Sequence, residues 1–155
     1  MGTKYKHLFD QIVTIENLSL AYQKAAAGKR RSLGYLEFRQ NDIANLVLLQ
    51  TALIQDTYMP SKPRKFMVYE PKAREISALP FVDRIVQHAI CNIIEPIFNK
   101  VFLPNTCACI KNRGTHYAVR KVQSILRRNT TNFILKTDFS KYFASIDREI
   151  LYSEI

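Results

Sequence analysis

Residues 132–147 read NFILKTDFSKYFASID, an apolar run that ends on a carboxylate. Phe133, Ile134 and Leu135 form the apolar run of a strand entering a core, expected to span Phe133 to Asp138. Asp138 stands at its C-terminal end, followed by a bend, by Tyr142 and Phe143, and by a helix start at Asp147. A carboxylate at the end of a buried strand is costly unless it caps a helix, pairs with a cation or binds a metal. No glycine lies in the stretch, so it is not a phosphate-cradling loop of the P-loop kind.

Upstream, Gly114 and Thr115 open an expected helix to about Arg128, with Ala118, Val119, Val122 and Leu126 inward and the arginines outward. Before it, Pro80 begins a helix through Ile97. Ile85, Ala89, Ile93 and Ile97 repeat every four residues, as do Val86, Ile90, Ile94 and Phe98, a stripe wide enough for a largely buried helix. Pro96 marks its last turn or a kink. Phe66–Tyr69 and Arg74–Ala78 read as two strands joined by a turn at Pro71, a hairpin with basic residues near its tip. Thr14 caps an expected helix from Ile15 to Ala27, ended by Gly28. Asn41 or Asp42 opens another, with Ile43, Leu46, Val47, Leu49 and Leu53 apolar, broken by Met59–Pro63. The helix starting at Asp147 has no Gly, Pro or basic closing turn before Ile155, so the sequence reads as cut off inside it.

The 155 residues correspond to about one domain. With 47% hydrophobic residues, 4 Gly and 6 Pro, the chain can bury a core and is not a disordered tail. No apolar run reaches the roughly 18 residues of a membrane span, and the N-terminus lacks the apolar stretch of a signal peptide. The expectation is a soluble, cytoplasmic protein with reduced thiols and no membrane partner.

The formal net charge is +10, from 23 Lys and Arg against 13 Asp and Glu. Its distribution is more telling. No acidic residue occurs from Val101 to Thr137, a stretch that holds Lys111, Arg113, Arg120, Lys121, Arg127, Arg128 and Lys136. Lys62, Arg64 and Lys65 form a second basic cluster, and Lys29, Arg30 and Arg31 a third. Such a surface fits a polyanion, most commonly nucleic acid. His88, Cys91, Cys107 and Cys109 are four potential zinc donors, but Cys-x-Cys is a poor chelate spacing and His88 and Cys91 fall within a helix expected to be buried. A Mg²⁺ at Asp138 would instead sit among cations able to hold a triphosphate, completing its shell with phosphates and water.

LKTDFSKYFASIDREIL resembles the first catalytic-aspartate motif of reverse transcriptases, and YEPKAREISALPFVDRIVQHAICNIIEPIF the finger and helix segment before it in group II intron-like bacterial enzymes. With GKRRSLGYLEF and RGTHYAV, the blocks cover almost the whole chain and look most like the reverse transcriptases of diversity-generating retroelements. Group II intron, retron and CRISPR-associated reverse transcriptases are the nearest alternatives. The resemblance implies an α+β fold, the fingers and the first part of the palm of a right-hand polymerase, across residues 1–155. It makes Asp138 the first catalytic, metal-binding carboxylate and the Phe139 backbone carbonyl a further ligand. It places Phe143 under the sugar of the incoming nucleotide, and Arg74 with Lys72 or Lys65 on its triphosphate. Arg84, Lys111, Arg113 and Arg120 would follow the nucleic-acid backbone. Asp147 reads as a helix cap, and Glu75 and Glu95 as structural.

The implied activity is RNA-directed DNA synthesis with two Mg²⁺ ions, making cDNA from a template RNA and deoxynucleoside triphosphates. In the family it copies with errors at adenines, diversifies a target gene and works with a small basic accessory protein. The chain departs from the pattern in one respect. Polymerase chemistry uses two ions about 4 Å apart, and the family supplies further carboxylates from a later Tyr-x-Asp-Asp motif, yet no Asp-Asp pair occurs here. The fragment alone is therefore expected to be inactive. The rival of another class is a non-catalytic RNA-binding module.

Overall fold

The computed structural model describes residues 4–128 and 133–154 and divides the chain into two compact units, Met1–Phe102 and Leu103–Ile155. Asn132, which opens the stretch above, Met1–Thr3 and Ile155 lie outside the described residues.

The first unit is helical, with one hairpin. Its elements are α1 (Leu8–Ile12), α2 (Ile15–Ala26), α3 (Leu33–Arg39), α4 (Asp42–Ile54), β1 (Arg64–Val68), β2 (Arg74–Ala78) and α5 (Phe81–Val101). The sequence contains the reasons for several of these boundaries. The Thr14 hydroxyl accepts a hydrogen bond from the Asn17 N–H, meeting a donor that the first turn of α2 leaves free. Gly28, at φ +67°, turns the chain after α2 in a conformation that costs glycine nothing. Pro80 precedes the first residue of α5, where a missing N–H costs little.

The core lies where α2, α3, α4 and α5 meet. Leu18, Ala21, Ala25 and Ala26 of α2 face Ile85, Val86 and Ala89 of α5, with Leu46 and Leu49 of α4 closing the side. An aromatic cluster fills one end. Tyr22 lies 5.3 Å from Phe38, and Tyr35 meets Phe81 edge-on at 5.6 Å, spacings at which rings attract beyond their buried area. Gly34 lets α3 approach this cluster: a Cβ there would stand 3.1 Å from the Cβ of Phe81. Buried Asn17 ties α1, α2 and α5 together. Its Nδ2 donates to the carbonyls of Ile12 (2.9 Å) and Ala89 (3.0 Å), and its Oδ1 accepts from Asn92 (2.8 Å). A buried amide so fully bonded escapes the desolvation cost it would otherwise carry.

The hairpin is antiparallel with Arg64 opposite Ala78, Phe66 opposite Ile76 and Val68 opposite Arg74. Period-two alternation puts Arg64, Phe66, Val68, Arg74 and Ile76 on one face and Lys65, Met67, Glu75 and Ser77 on the other. Nearly every strand residue is exposed.

Two expectations for this unit change, and two short helices are added. The helix from Pro80 runs past Ile97 to Val101, with Pro96 inside it. Pro96 and Asn92 are not buried, so water can meet the carbonyl that the proline leaves unbonded, and the helix continues. α5 is buried only in its first half, where α2 and α3 pack on it; Ile90 and Phe98 are exposed. Ile43 and Val47 of α4 are exposed as well. The short α1 and α3 were not expected.

The second unit begins with a loop in which Cys109 and Asn112 have positive φ. It continues with α6 (Thr115–Arg128), residues 133–139, α7 (Tyr142–Ser145) and α8 (Arg148–Glu154). Asp147 caps α8 through the N–H groups of Glu149 and Ile150, as its sequence position implied. The strand expected at Phe133–Asp138 is not formed. A strand exists by hydrogen-bonding a neighbour, and none among the described residues pairs with this segment. Phe133 and Leu135 are accordingly 89% exposed rather than in a core. Of the inward face expected for α6, Ala118 is half-buried and Val119, Val122 and Leu126 are exposed, as is Ile125 beside them.

Candidate nucleotide and nucleic-acid interface

Asp138 and Phe139 lie just before a sharp reversal. Lys141 has φ +51°, a left-handed backbone that a non-glycine side chain adopts at some cost, and it forms the N-cap of α7. The reversal brings Phe139, Tyr142 and Phe143 together, with Tyr142 6.2 Å from Phe139 and 5.5 Å from Phe143. Asp138 is exposed, so the desolvation cost that made its position puzzling does not arise here. Among the described residues, neither ion pair includes it; these are His7–Asp10 and Lys65–Glu75. Phe143 is 89% exposed and packs into no core.

One carboxylate and one carbonyl can supply two oxygens to a Mg²⁺, which takes one or two protein carboxylates beside phosphates. They do not make a two-ion site. Among the described residues no three His, Cys, Asp or Glu side chains gather to hold a metal, which applies equally to His88, Cys91, Cys107 and Cys109.

The register separates the hairpin cations. Arg74 shares its face with Arg64, whereas Lys65 is on the opposite face, 3.1 Å from the Glu75 carboxylate. Arg74 and Lys65 therefore do not converge on one ligand from one side. Lys72 sits in the turn beside Arg74 and is exposed. Arg64 reads from sequence only as part of a basic cluster with Lys62 and Lys65, and the pairing register alone assigns it to the face of Arg74.

The four candidates for the nucleic-acid backbone differ among themselves. Arg120 is exposed on α6, where it lines a shallow groove with Gln123, Ser124, Arg127 and Arg128. The spacing of 120, 124 and 127 puts these on one helical stripe. Arg113 is half-buried, and its Nη1 donates to the carbonyls of Pro104 (3.2 Å) and Thr106 (3.3 Å), so part of its guanidinium holds the loop before α6. Lys111 is exposed in that loop. Arg84, on α5, is half-buried, and with Lys24 its charge adds to burial, the larger cause, in lowering the pKa of His88.

Sequence reasoning missed a buried carboxylate. Asp83, in the first turn of α5, is only 4% exposed. Its Oδ1 accepts from the Tyr58 hydroxyl at 2.5 Å and its Oδ2 from the Ser61 N–H at 3.1 Å. Burial first, then the bond to Asp83, pushes the Tyr58 phenol well above the usual tyrosine range. An aspartate in the first turn of an apolar helix was the available signal, but its partners lie more than twenty residues upstream.

No helix among the described residues is long and apolar enough to cross a membrane. No protein-family model matches the chain. It is 27% identical over 117 residues to Protein YkfC of Escherichia coli, an alignment covering 71% of this chain and 30% of that protein. It is 26% identical over 140 residues to the nuclear intron maturase 2, mitochondrial, of Arabidopsis thaliana, covering 78% of this chain and 18% of that one. The chain thus spans less than a third of either relative, and its similarity to an intron maturase runs through most of its own length.

Proposed function

We propose that this chain carries the fingers and first palm segment of an RNA-directed DNA polymerase of the group II intron-like kind, with a diversity-generating retroelement as its setting. The observation that carries the reading is the aspartate–aromatic reversal of residues 138–143. An accessible carboxylate, its neighbouring carbonyl and an uncovered ring follow one another around one bend. The exposed hairpin bearing Arg74 and Lys72, and the similarity to an intron maturase over 78% of the chain, support it.

In this reading Arg74 and Lys72 hold the triphosphate of an incoming deoxynucleotide, with Arg64 on the same hairpin face. Lys65 is engaged by Glu75 on the other face and is the weaker candidate. Asp138 and the Phe139 carbonyl would hold Mg²⁺, which supplies charge stabilisation to the transferring phosphoryl group. Phe143 would press on the sugar and exclude a 2′-hydroxyl by steric clash. Arg120 and Lys111, with Arg84 and part of Arg113, would follow template RNA and cDNA. A small basic accessory protein belongs to the retroelement setting.

The test is primer extension on an RNA template by the product of an open reading frame that continues into a Tyr-x-Asp-Asp segment. Incorporation should be abolished by Asp138→Asn, and residues 1–155 alone should show none. Robust synthesis by residues 1–155, or full activity after Asp138→Asn, would sink the reading. The basic stripe of α6 favours a second reading, an RNA-binding module without catalysis. A reading frame with a natural stop after Ile155 would decide for it.

A further inference from the structure

We infer that Asp83, with the Tyr58 hydroxyl and the Ser61 N–H, is a tie that sets the orientation of the β1–β2 hairpin and thereby positions Arg74 and Lys72. This rests on the reading of the hairpin as the triphosphate-holding element.

The hairpin has little else to orient it. It is a two-stranded ribbon, marginal by itself in water, and nearly all its residues are exposed. Each strand packs mainly on the other. What remains is its base. The chain enters through Ser61, three residues before β1, and leaves through Leu79 and Pro80 into α5, whose third residue is Asp83. One carboxylate thus grips the incoming strand by Ser61 and sits on the element that receives the outgoing one. Its second oxygen takes the hydroxyl of Tyr58, whose ring packs against the helical core. The clamp therefore joins three things: the core, the entry strand and the exit helix.

Its chemistry suits fixing rather than reacting. A buried carboxylate is tolerated only where its oxygens are bonded, and here each receives one donor. The first turn of α5 adds the favourable end of the helix dipole. A charged acceptor makes these bonds stronger than neutral ones, so loss of one donor should loosen the hairpin base specifically. Asp83 is a positioning residue.

The experiment is amide hydrogen exchange on residues 1–155 with Tyr58→Phe, which removes one hydroxyl from a partly exposed ring, and with Asp83→Asn, which keeps the size and removes the charge. dGTP with Mg²⁺ is the probe ligand. Peptides covering residues 64–78 should exchange faster in Tyr58→Phe, by about tenfold, and faster in Asp83→Asn. Peptides of α2 and of residues 85–97 should not change. The dGTP concentration needed to protect the hairpin should rise by a similar factor. Unchanged hairpin exchange in Tyr58→Phe, or acceleration spread evenly over the helices, overturns the tie. If the hairpin loosens as expected but dGTP never protects it even in the parent, the tie stands and the triphosphate reading fails.

Discussion

The two units of this chain share the same vocabulary of amphipathic helices and differ in what covers them. In the first, the apolar stripes of α2 and α5 meet, and Leu18 and Ile85 are completely buried. In the second, α6 carries an equally well-segregated stripe of Val119, Val122, Ile125 and Leu126, yet no described residue is buried. Amphipathicity states that a helix has a face to hide. Whether the face is hidden depends on a second surface of matching shape. Each buried side chain of this size gains about 1.5–3 kcal/mol, a gain that the described residues of the second unit do not make.

The sharpest way to break this contrast is to truncate one residue in each unit. Leu18→Ala should cost about 2–5 kcal/mol of unfolding free energy. Ile125→Ala should stay within about 0.5 kcal/mol. Urea melts of residues 1–155 measure both. A loss above about 2 kcal/mol at Ile125 would mean that α6 is covered in solution.

Phe143, in the second unit, is as uncovered as the stripe of α6. A ring so exposed has little packing to lose, so Phe143→Ala should leave the urea midpoint unchanged. In primer extension by the chain that includes the Tyr-x-Asp-Asp segment, the same change should raise ribonucleotide over deoxynucleotide incorporation by about tenfold, or 1.4 kcal/mol. An equal fall in both efficiencies would reduce the ring to a structural part.

Charge separates the arginines of the second unit. Arg120→Ala should flatten the salt dependence of RNA binding by about one unit of slope, as one phosphate contact is lost. Arg113→Ala should flatten it less and loosen residues 103–114, whose carbonyls it holds. Filter binding from low to high salt distinguishes the two; equal slopes in both variants would count against the assignment.

The smallest effect belongs to His88 in the first unit. Burial, with Arg84 and Lys24 near, lowers its folded pKa below the ordinary 6.5. As the pH falls through 6.5 the unfolded chain takes up this proton first, so stability is full above that value, declines below it and levels off once the folded form is protonated too. His88→Gln should make the acid limb of a thermal melt shallower. An unchanged limb would show that His88 titrates alike in both states.

Much of the first unit was legible from local chemistry. Thr14, Gly28 and Pro80 mark helix ends: Thr14 meets a first-turn donor, Gly28 accepts the reversal after the last turn, and Pro80 stands where a missing N–H costs little. The hairpin was legible from its two short runs and the turn at Pro71. Asp147 was legible as a cap for the same reason as Thr14. In the candidate site, the order Asp138, Phe139, Phe143 was legible as a motif, and the structure adds the reversal at Lys141 that gathers the rings.

What the sequence could not reach is everything that depends on a partner far along the chain. The apolar run at residues 133–135 fits a strand, but a strand is a property of two segments, and its hydrogen bonds are not contained in the run itself. Likewise α5 has one long stripe, and only the helices packed against it decide that the first half is buried and the second is not. The face of each hairpin cation follows from a register that shifts by one residue without any change in composition. Asp83 is one more aspartate in the sequence; only the packing of a loop twenty-odd residues away against the first turn of α5 makes it a buried clamp. From the sequence come the longer helices, the hairpin and the positions of the charges, because those depend on neighbours a few positions apart. The tertiary structure decided which faces are hidden and which donors meet which acceptors, because burial and long-range hydrogen bonds exist only between surfaces brought together in space.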